Sequence, residues 1–396
     1  MKKWIKSLIL ICSGLAIALL LNLGLNLPIW GQSLPELRGV WLTNVDSDVL
    51  LSRSNLEQAM VRLQRLNFNT IYPTVWHEGY TLYPSEVSAK SFGQSIRPDP
   101  QLQGRDMLAD AVEMGHNKGL TVIPWFEFGL MSEENAELTK KYPQWLTTRK
   151  DGSSVFVYGD HGQHRFVWLN PLRPEVQSLI VDLITEIVSK YDVDGIQLDD
   201  HFGLPAELGY DDFTIALYKQ DHNGQLPPDN PKDLEWTRWR SQYITDLMVK
   251  VKVAVKAVKP KCIISLSPNP KAFSYENYLQ DWHRWVKMGL LDELVIQVYR
   301  SDLAGFEKEL ISSDLVEVRQ TIPVGIGILT GLRTQKVDMQ QISAQIKSTR
   351  SRGFQGFSFF FYETLGNRDG AFKNLLSAKS DRPQISPQIS SQISKS

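Results

Sequence analysis

The sequence predicts an α/β fold, a (β/α)8 barrel with long loops after its third and fourth strands, and three observations carry that expectation. Apolar runs of strand length alternate with amphipathic helical stretches, and the alternation repeats eight times over roughly 340 residues. The fourth run, Asp192-Val-Asp-Gly-Ile-Gln-Leu-Asp-Asp-His201, delivers two carboxylates and an imidazole to its C-terminal end. In a parallel barrel such groups are tolerated at the open carboxyl rim, where ligands also bind. Finally, Leu42-Thr-Asn-Val-Asp-Ser47, after the first run, holds no Gly-rich phosphate loop of the kind a doubly wound dinucleotide-binding sheet requires.

Taken in order, residues 1–32 combine a basic start, Met1-Lys-Lys-Trp-Ile-Lys6, with an apolar run from Leu8 to Trp30. That pattern is a secretory signal or an N-terminal membrane anchor, and in either case the folded part is exported to the periplasm, the cell envelope or the medium. The barrel is expected over 33–380. Its strands read as 37–43, 70–76, 120–127, 193–199, 262–267, 294–299, 324–329 and 356–362, each an apolar run bounded by turn residues. Helices read from the 3.6-residue period as 55–66, 106–118, 174–190, 234–258, 275–287, 303–318 and 339–350, with a short last one at 371–378. The stretch 381–396, with its Gln-Ile-Ser repeats, has neither helical nor alternating logic and reads as a disordered tail.

Composition excludes some classes. A 42% hydrophobic chain of 396 residues can fill a large core, and a net charge of -1 gives no basic surface for nucleic acid. Of two cysteines, Cys12 lies in the export segment and Cys262 opens a strand, so no disulfide is expected within the mature domain. Ile11 stands before Cys12 where a lipoprotein signal wants a small residue. No cofactor motif is read. His77, His201 and the pair His161 and His164 form no tight three-ligand cluster in the sequence, so no metal is expected.

The chemistry follows from strand parity. A period of two puts Gln197 and Asp199 on one face of the fourth strand and Ile196 and Leu198 on the other, so Asp199 points into the barrel mouth with Asp200 beside it. On the third strand Thr121, Ile123, Trp125 and Glu127 share a face, which makes Glu127 the partner acid. Two carboxyls whose environments push their proton affinities apart can act as acid and as base or nucleophile, with Asp200 as the alternative acid. Substrate contacts at the mouth are expected from Trp41, Asn44, Asp46, Tyr72, Trp76, Glu78, Trp125, His201, Asn269, Gln297, Tyr299, Arg300, Tyr362 and Glu363. Trp and Tyr would cover sugar faces, while the polar groups would bind hydroxyl or acetamido groups. The loops 128–173 and 201–233 add Trp145, Tyr158, His161, His164, Trp168 and Tyr210, which suit sugar stacking or simply pack beneath the loops.

Leu37-Arg-Gly-Val-Trp-Leu-Thr43, Phe68-Asn-Thr-Ile-Tyr-Pro-Thr-Val-Trp76, Val122-Ile-Pro-Trp-Phe-Glu127, Trp168-Leu-Asn-Pro171, Asp194-Gly-Ile-Gln-Leu-Asp-Asp200 and Val295-Ile-Gln-Val-Tyr299 together resemble the bacterial glycosyl-hydrolase-like family 10 domain, over about residues 35–375. The resemblance implies a TIM-barrel glycosidase of the cell envelope acting on a polysaccharide, with peptidoglycan glycan strands as the polymer. Asp194-Gly-Ile-Gln-Leu-Asp199 is also similar to the strand-four motif of α-amylase-type barrels, which implies a nucleophile or charge-stabilising role for Asp199. Ser265-Leu-Ser-Pro-Asn269 offers no counterpart to their strand-five acid, so Glu127 is assigned to the acid/base role on strand parity alone. The adjacent acids resemble N-acetylhexosaminidase barrels, where one acid protonates and the other orients a substrate acetamido nucleophile. A glycan-binding barrel without catalysis and a metal-dependent amide or ester hydrolase using Asp200 and His201 are the competing readings.

Overall fold

The computed structural model describes residues 35–158 and 164–385. Nine hydrogen-bonded parallel segments form one sheet among them. In chain order they are β1 (Leu37–Leu42), β2 (Thr70–Pro73), the two halves of β3 (Thr121–Val122 and Trp125–Phe126), β4 (Gly195–Asp199), β5 (Ile263–Ser267), β6 (Glu293–Gln297), β7 (Val324–Leu329) and β8 (Gly356–Phe360). The halves of β3 stand at opposite ends of the sheet order: Thr121–Val122 pairs with β2, and Trp125–Phe126 pairs with β4. Pro124 separates them because it has no N–H to give a ladder, yet its carbonyl still accepts from Gln197 N at 2.8 Å. The sheet is therefore closed, a (β/α)8 barrel as the sequence predicted.

Closure between last and first strands depends on Gly356. Its φ is 136°, and a Cβ there would fall 2.1 Å from Leu37 O. Only glycine takes that conformation and lets β8 lie against β1 in register, Leu37 opposite Gly356.

Alternation along each strand sorts side chains into two cores. Leu37, Trp41, Tyr72, Ile123, Trp125, Val295 and Phe361 pack together inside the barrel. Val40, Leu42, Ile71, Val122, Phe126, Ile196, Leu198, Ile264 and Leu266 belong to the larger cluster shared with the helices. Burying each of these large apolar side chains stabilises the fold by roughly 1.5–3 kcal/mol. Polar groups that enter the barrel are tied to one another. Trp41 Nε1 donates to Gln197 Oε1 at 2.7 Å, Gln197 Nε2 to Ser265 Oγ at 3.0 Å, and Ser265 Oγ to Glu293 Oε1 at 2.9 Å.

The helices follow the predicted periods with two corrections. The helix expected over 275–287 is two, Lys271–Tyr278 and Trp282–Lys287, because Leu279 turns left-handed at φ 56°. The one expected over 303–318 is likewise two, Leu303–Leu310 and Ser313–Val318. The second strand also ends earlier than 76, since the chain leaves β2 and forms the hairpin Trp76–His77 with Tyr80–Thr81. The long loop after β3 carries a three-stranded antiparallel unit, Met131–Glu133, Phe156–Tyr158 and His164–Trp168, and the loop after β4 carries a helix, Asp212–Asp221.

At the amino end of the barrel the chain returns. Arg382, placed by the sequence reading in a disordered tail, is packed against the strand feet: its guanidinium pairs with Glu293 and donates to Thr70 Oγ1. Residues 1–34, which include the stretch expected to be a secretory signal or membrane anchor, and residues 386–396 lie outside the described residues.

Candidate active site

β4 ends at the mouth with Asp199, whose side chain is 1% exposed. Because the next three residues form a 3₁₀ turn, Asp199 Oδ1 accepts from the His201 backbone N–H at 3.0 Å. Its Oδ2 accepts from Trp125 Nε1 at 3.2 Å, across the β3–β4 contact. The break at Leu279 lets Gln280 reach inward, and its Nε2 donates to the Asp199 carbonyl at 2.7 Å. Desolvation raises the proton affinity of Asp199 most, the nearby His201 charge lowers it, and the outcome is about 7.

Glu127 follows the second half of β3 on the same inward face and is 8% exposed. Its Oε2 accepts from Thr74 Oγ1 at 3.0 Å. Desolvation again dominates and the charge of Asp199 adds to it, so Glu127 is pushed up to about 8. The two acids thus stand at the carboxyl ends of neighbouring strands, close enough to feel one another.

His201 ties them together. Its Nδ1 lies 3.0 Å from the Glu127 carbonyl, which can only accept, and 3.4 Å from Asp199 Oδ1. Burial works against its charged form, but Asp200 and Asp199 outweigh that and raise the imidazole to about 10. The ring stacks on Phe128, with centroids 5.4 Å apart at 19°. Asp200 is held differently: Asn269 Nδ2 donates to it at 2.9 Å and Gln297 Nε2 at 3.2 Å. The sequence showed no tight three-ligand cluster, but one ligand atom from each of Asp199, Asp200 and His201 lies within 4.8 Å of the others, adding Asp199 to the two residues of the competing metal-dependent reading. Within the trio His201 lies against Asp199, while Asp200 is held by Asn269 and Gln297. His161 lies outside the described residues, and His164 is exposed on the antiparallel unit.

Of the other expected contacts, Trp41 and Trp125 form the floor beneath the acids, with ring centroids 6.2 Å apart. Tyr299 stands beside them against Phe360, 5.5 Å away, and burial drives its phenol well above the usual range. Asn44, His77 and Glu78 gather with Arg97 on the β1–β2 side of the mouth. Burial alone would raise Glu78, but His77 and Arg97 hold it at about 2, so it is an ionised acceptor. Glu363 accepts from Ser47 Oγ at 2.5 Å, and burial lifts it to about 6, while Asp46 pairs with Arg333 at 3.0 Å.

Four expected contacts are corrected. Trp76 is fully buried in the outer core, stacked on Phe126 with its Nε1 bonded to the Gly129 carbonyl, because the hairpin turns it away from the mouth. Tyr72 is buried deep in the barrel and donates to Glu293 at 3.1 Å. Tyr362 packs against the outer core under Arg62, and Arg300 turns outward to Glu309 at 2.8 Å. Trp145 and Trp168 are core residues, whereas Tyr158 is exposed. Thr74, Gln280 and Arg97 were missed. Thr74 continues the inward parity of Tyr72 and could have been found; Gln280 depends on a helix break that no local signal marks.

Residues 36–348 match the family described as glycosyl hydrolase-like 10. The chain is 28% identical over 312 residues to glycosyl hydrolase DigH of Escherichia coli K12, covering 68% of this chain and 66% of that one. It is 26% identical over 306 residues to glycosyl hydrolase YngK of Bacillus subtilis, covering 68% of this chain and 55% of that one. The chain thus spans less than two thirds of the length of either relative. The fold is similar to the PgaB (BpsB) glycoside hydrolase domain from Bordetella bronchiseptica, with a TM-score of 0.61 at 14% identity over 87% of this chain and 100% of that one. It is also similar to the catalytic domain of β-amylase from Paenibacillus polymyxa, with a TM-score of 0.59 at 10% identity over 88% and 100%. The family match takes in well over half of the sequence, and the chain belongs to the glycosyl hydrolase-like 10 family.

Proposed function

We propose that this protein is an exported glycoside hydrolase that cleaves O-glycosidic bonds in peptidoglycan glycan strands by a two-carboxylate mechanism. The observation that carries the reading is the pair Asp199 and Glu127, two buried acids at one mouth with proton affinities of about 7 and about 8. Burial raises both and the charge of Asp199 raises Glu127 further, which favours the state in which one acid is ionised and the other carries a proton, the division of labour glycoside hydrolysis needs. Asp199 is the ionised member. Trp125 Nε1, the His201 backbone N–H and the His201 imidazolium all favour its charge, so it supports the oxocarbenium-like centre as nucleophile or stabiliser. Glu127, carrying its proton in an apolar setting, donates to the leaving oxygen.

Asp200 favours a second reading of the same reaction. Fixed by Asn269 and Gln297, it is a pre-positioned acceptor able to orient a substrate acetamido group as the internal nucleophile. Peptidoglycan sugars carry that group. Export is supported by the N-terminal 1–32 pattern, and action on a glycan by the aromatic floor of Trp41 and Trp125 and by the relatives' name of glycosyl hydrolase.

Incubation of the protein with peptide-free and peptide-bearing wall polymer, followed by mass spectrometry of what is released, tests the reading. Fragments cut at sugar–sugar bonds, formed equally well with a chelator present, are the expected result. Retention of polymer without any fragment would make the barrel a binding module, and chelator-sensitive release of amide or ester products would make it a metal-dependent hydrolase.

A further inference from the structure

A chain of ring contacts leads outward from the acids through buried rings to exposed ones. From His201 it continues through Phe128 to Phe166, whose ring lies 5.5 Å from Phe128, and on to Tyr158 at 5.8 Å and His164 at 6.2 Å. This is one wall, built on the antiparallel unit after β3, and it ends in an exposed tyrosine, Tyr158 at 44%. A second wall rises from the helix after β5. Tyr278 is drawn against the turn that follows Asp200: its carbonyl accepts from Leu204 N at 2.8 Å, and a Cβ on Gly203 would lie 2.9 Å from its own Cβ. Phe273, exposed at 48%, sits 5.9 Å from Tyr278.

Polar groups are interleaved with these rings. Arg149 stacks on Phe156 at 4.0 Å and pairs with Glu207 at 2.8 Å, which joins the antiparallel unit to the loop after β4. Lys232 donates to Asn277 at 2.9 Å on the far side. Burial raises the phenols of both Tyr158 and Tyr278, and Asp200 and Glu207 push both further in the same direction, which places the two rings around the same pair of acids. An apolar peptide laid here would strip water from Glu207 and both phenols without replacing it. A sugar chain presents C–H faces to rings and hydroxyls to the groups between them.

We propose that Tyr158, His164, Tyr278 and Phe273 form distal subsites that hold a glycan strand continuing past the cleaved bond, so that the enzyme cuts within chains. This rests on the glycoside hydrolase reading above. Continuity with the catalytic mouth fixes the occupant as more of the same polymer.

The test is kcat/KM against chain length, from disaccharide to octasaccharide of the wall glycan, for the wild type, Tyr158→Ala, Phe273→Ala and Tyr158→Phe. Wild-type kcat/KM is expected to climb with length. Each alanine variant should lose about three- to tenfold of the octasaccharide-to-disaccharide ratio, and Tyr158→Phe, which keeps the stacking face, should retain most of it. An unchanged ratio in both alanine variants, or an equal loss at every length, would overturn the subsites. If the wild type cleaves no oligosaccharide at all, it is the hydrolase reading that fails. Calorimetric binding of the octasaccharide to Asp199→Asn with and without Tyr158→Ala then decides the subsites alone: weaker binding in the double variant supports them, and equal binding rejects them.

Discussion

The two ends of the barrel bury acids of similar depth and treat them in opposite ways. At the amino end Glu293, 1% exposed, meets the Arg382 guanidinium, the Tyr72 hydroxyl at 3.1 Å and Ser265 Oγ at 2.9 Å. At the carboxyl end Glu127 has Thr74, a carboxylate neighbour and an aromatic setting, while Asp199 has an indole N–H and an imidazole shared with Asp200. Burial is common to both ends; what differs is the guanidinium. An acid matched by its own guanidinium is a structural tie, whereas one whose nearest cation is an imidazolium shared with a second carboxylate, or that has none, keeps a raised proton affinity and can exchange that proton during a reaction.

The largest effect that would break or sharpen this contrast is in Asp199→Asn. Turnover on glycan should fall by about 10³-fold or more, because the charge is lost and the shape is kept. The same variant should melt higher than the wild type at pH 8. The sign follows from linkage: the folded-state value of Asp199 lies above its unfolded value, so its contribution to stability is complete below about 4 and is lost as pH rises through about 7. A variant with no charge to bury escapes that loss. Unchanged turnover, or a lower melting point at pH 8, would remove the distinction between the ends.

Next comes the pair titration. The wild-type kcat/KM should be bell-shaped with apparent limbs near 7 and 8, values that belong to the coupled acids jointly. Glu127→Gln should cost about 10²- to 10⁴-fold and abolish the alkaline limb, which pH–rate measurements on the variant would show. His201→Asn is expected to act more gently. Its charge lowers Asp199, so removing it moves the acid limb to higher pH, and a shift of about one unit cuts activity on that limb roughly tenfold. A limb that stays in place or moves down would deny the imidazolium its electrostatic role.

The smallest change in turnover is expected at the other end. Arg382→Met leaves Glu293 buried without its cation, which should cost about 3–5 kcal/mol of stability in denaturant titration. Turnover per folded molecule should stay near wild type. A loss of turnover comparable to that of Asp199→Asn, at undiminished stability, would reverse the comparison.

The contrast also marks how far the sequence could be read. Strand parity placed Gln197, Asp199, Trp125 and Glu127 inside and Ile196 and Leu198 outside, because a period of two survives wherever the strand is regular. Trp76 went astray because the same parity was carried past Pro73, where the backbone turns into a hairpin through Glu78 and Gly79 at positive φ. Arg382 was illegible for another reason. Its partner Glu293 stands 89 positions earlier, and nothing in a polar, Ser-rich stretch signals that one side chain has a destination. Gln280 shares that difficulty, since its reach to Asp199 depends on one left-handed residue, Leu279, of a type that rarely adopts that conformation.

The closure of β8 against both β7 and β1 has a practical corollary for anyone dissecting this protein. The family signature stops at 348, eight residues before that last strand begins at 356. A fragment cut at the signature would strip two neighbouring strands of their partner and leave facing rows of unsatisfied amides, the template on which chains aggregate. A well-behaved recombinant domain therefore has to run at least as far as Arg382.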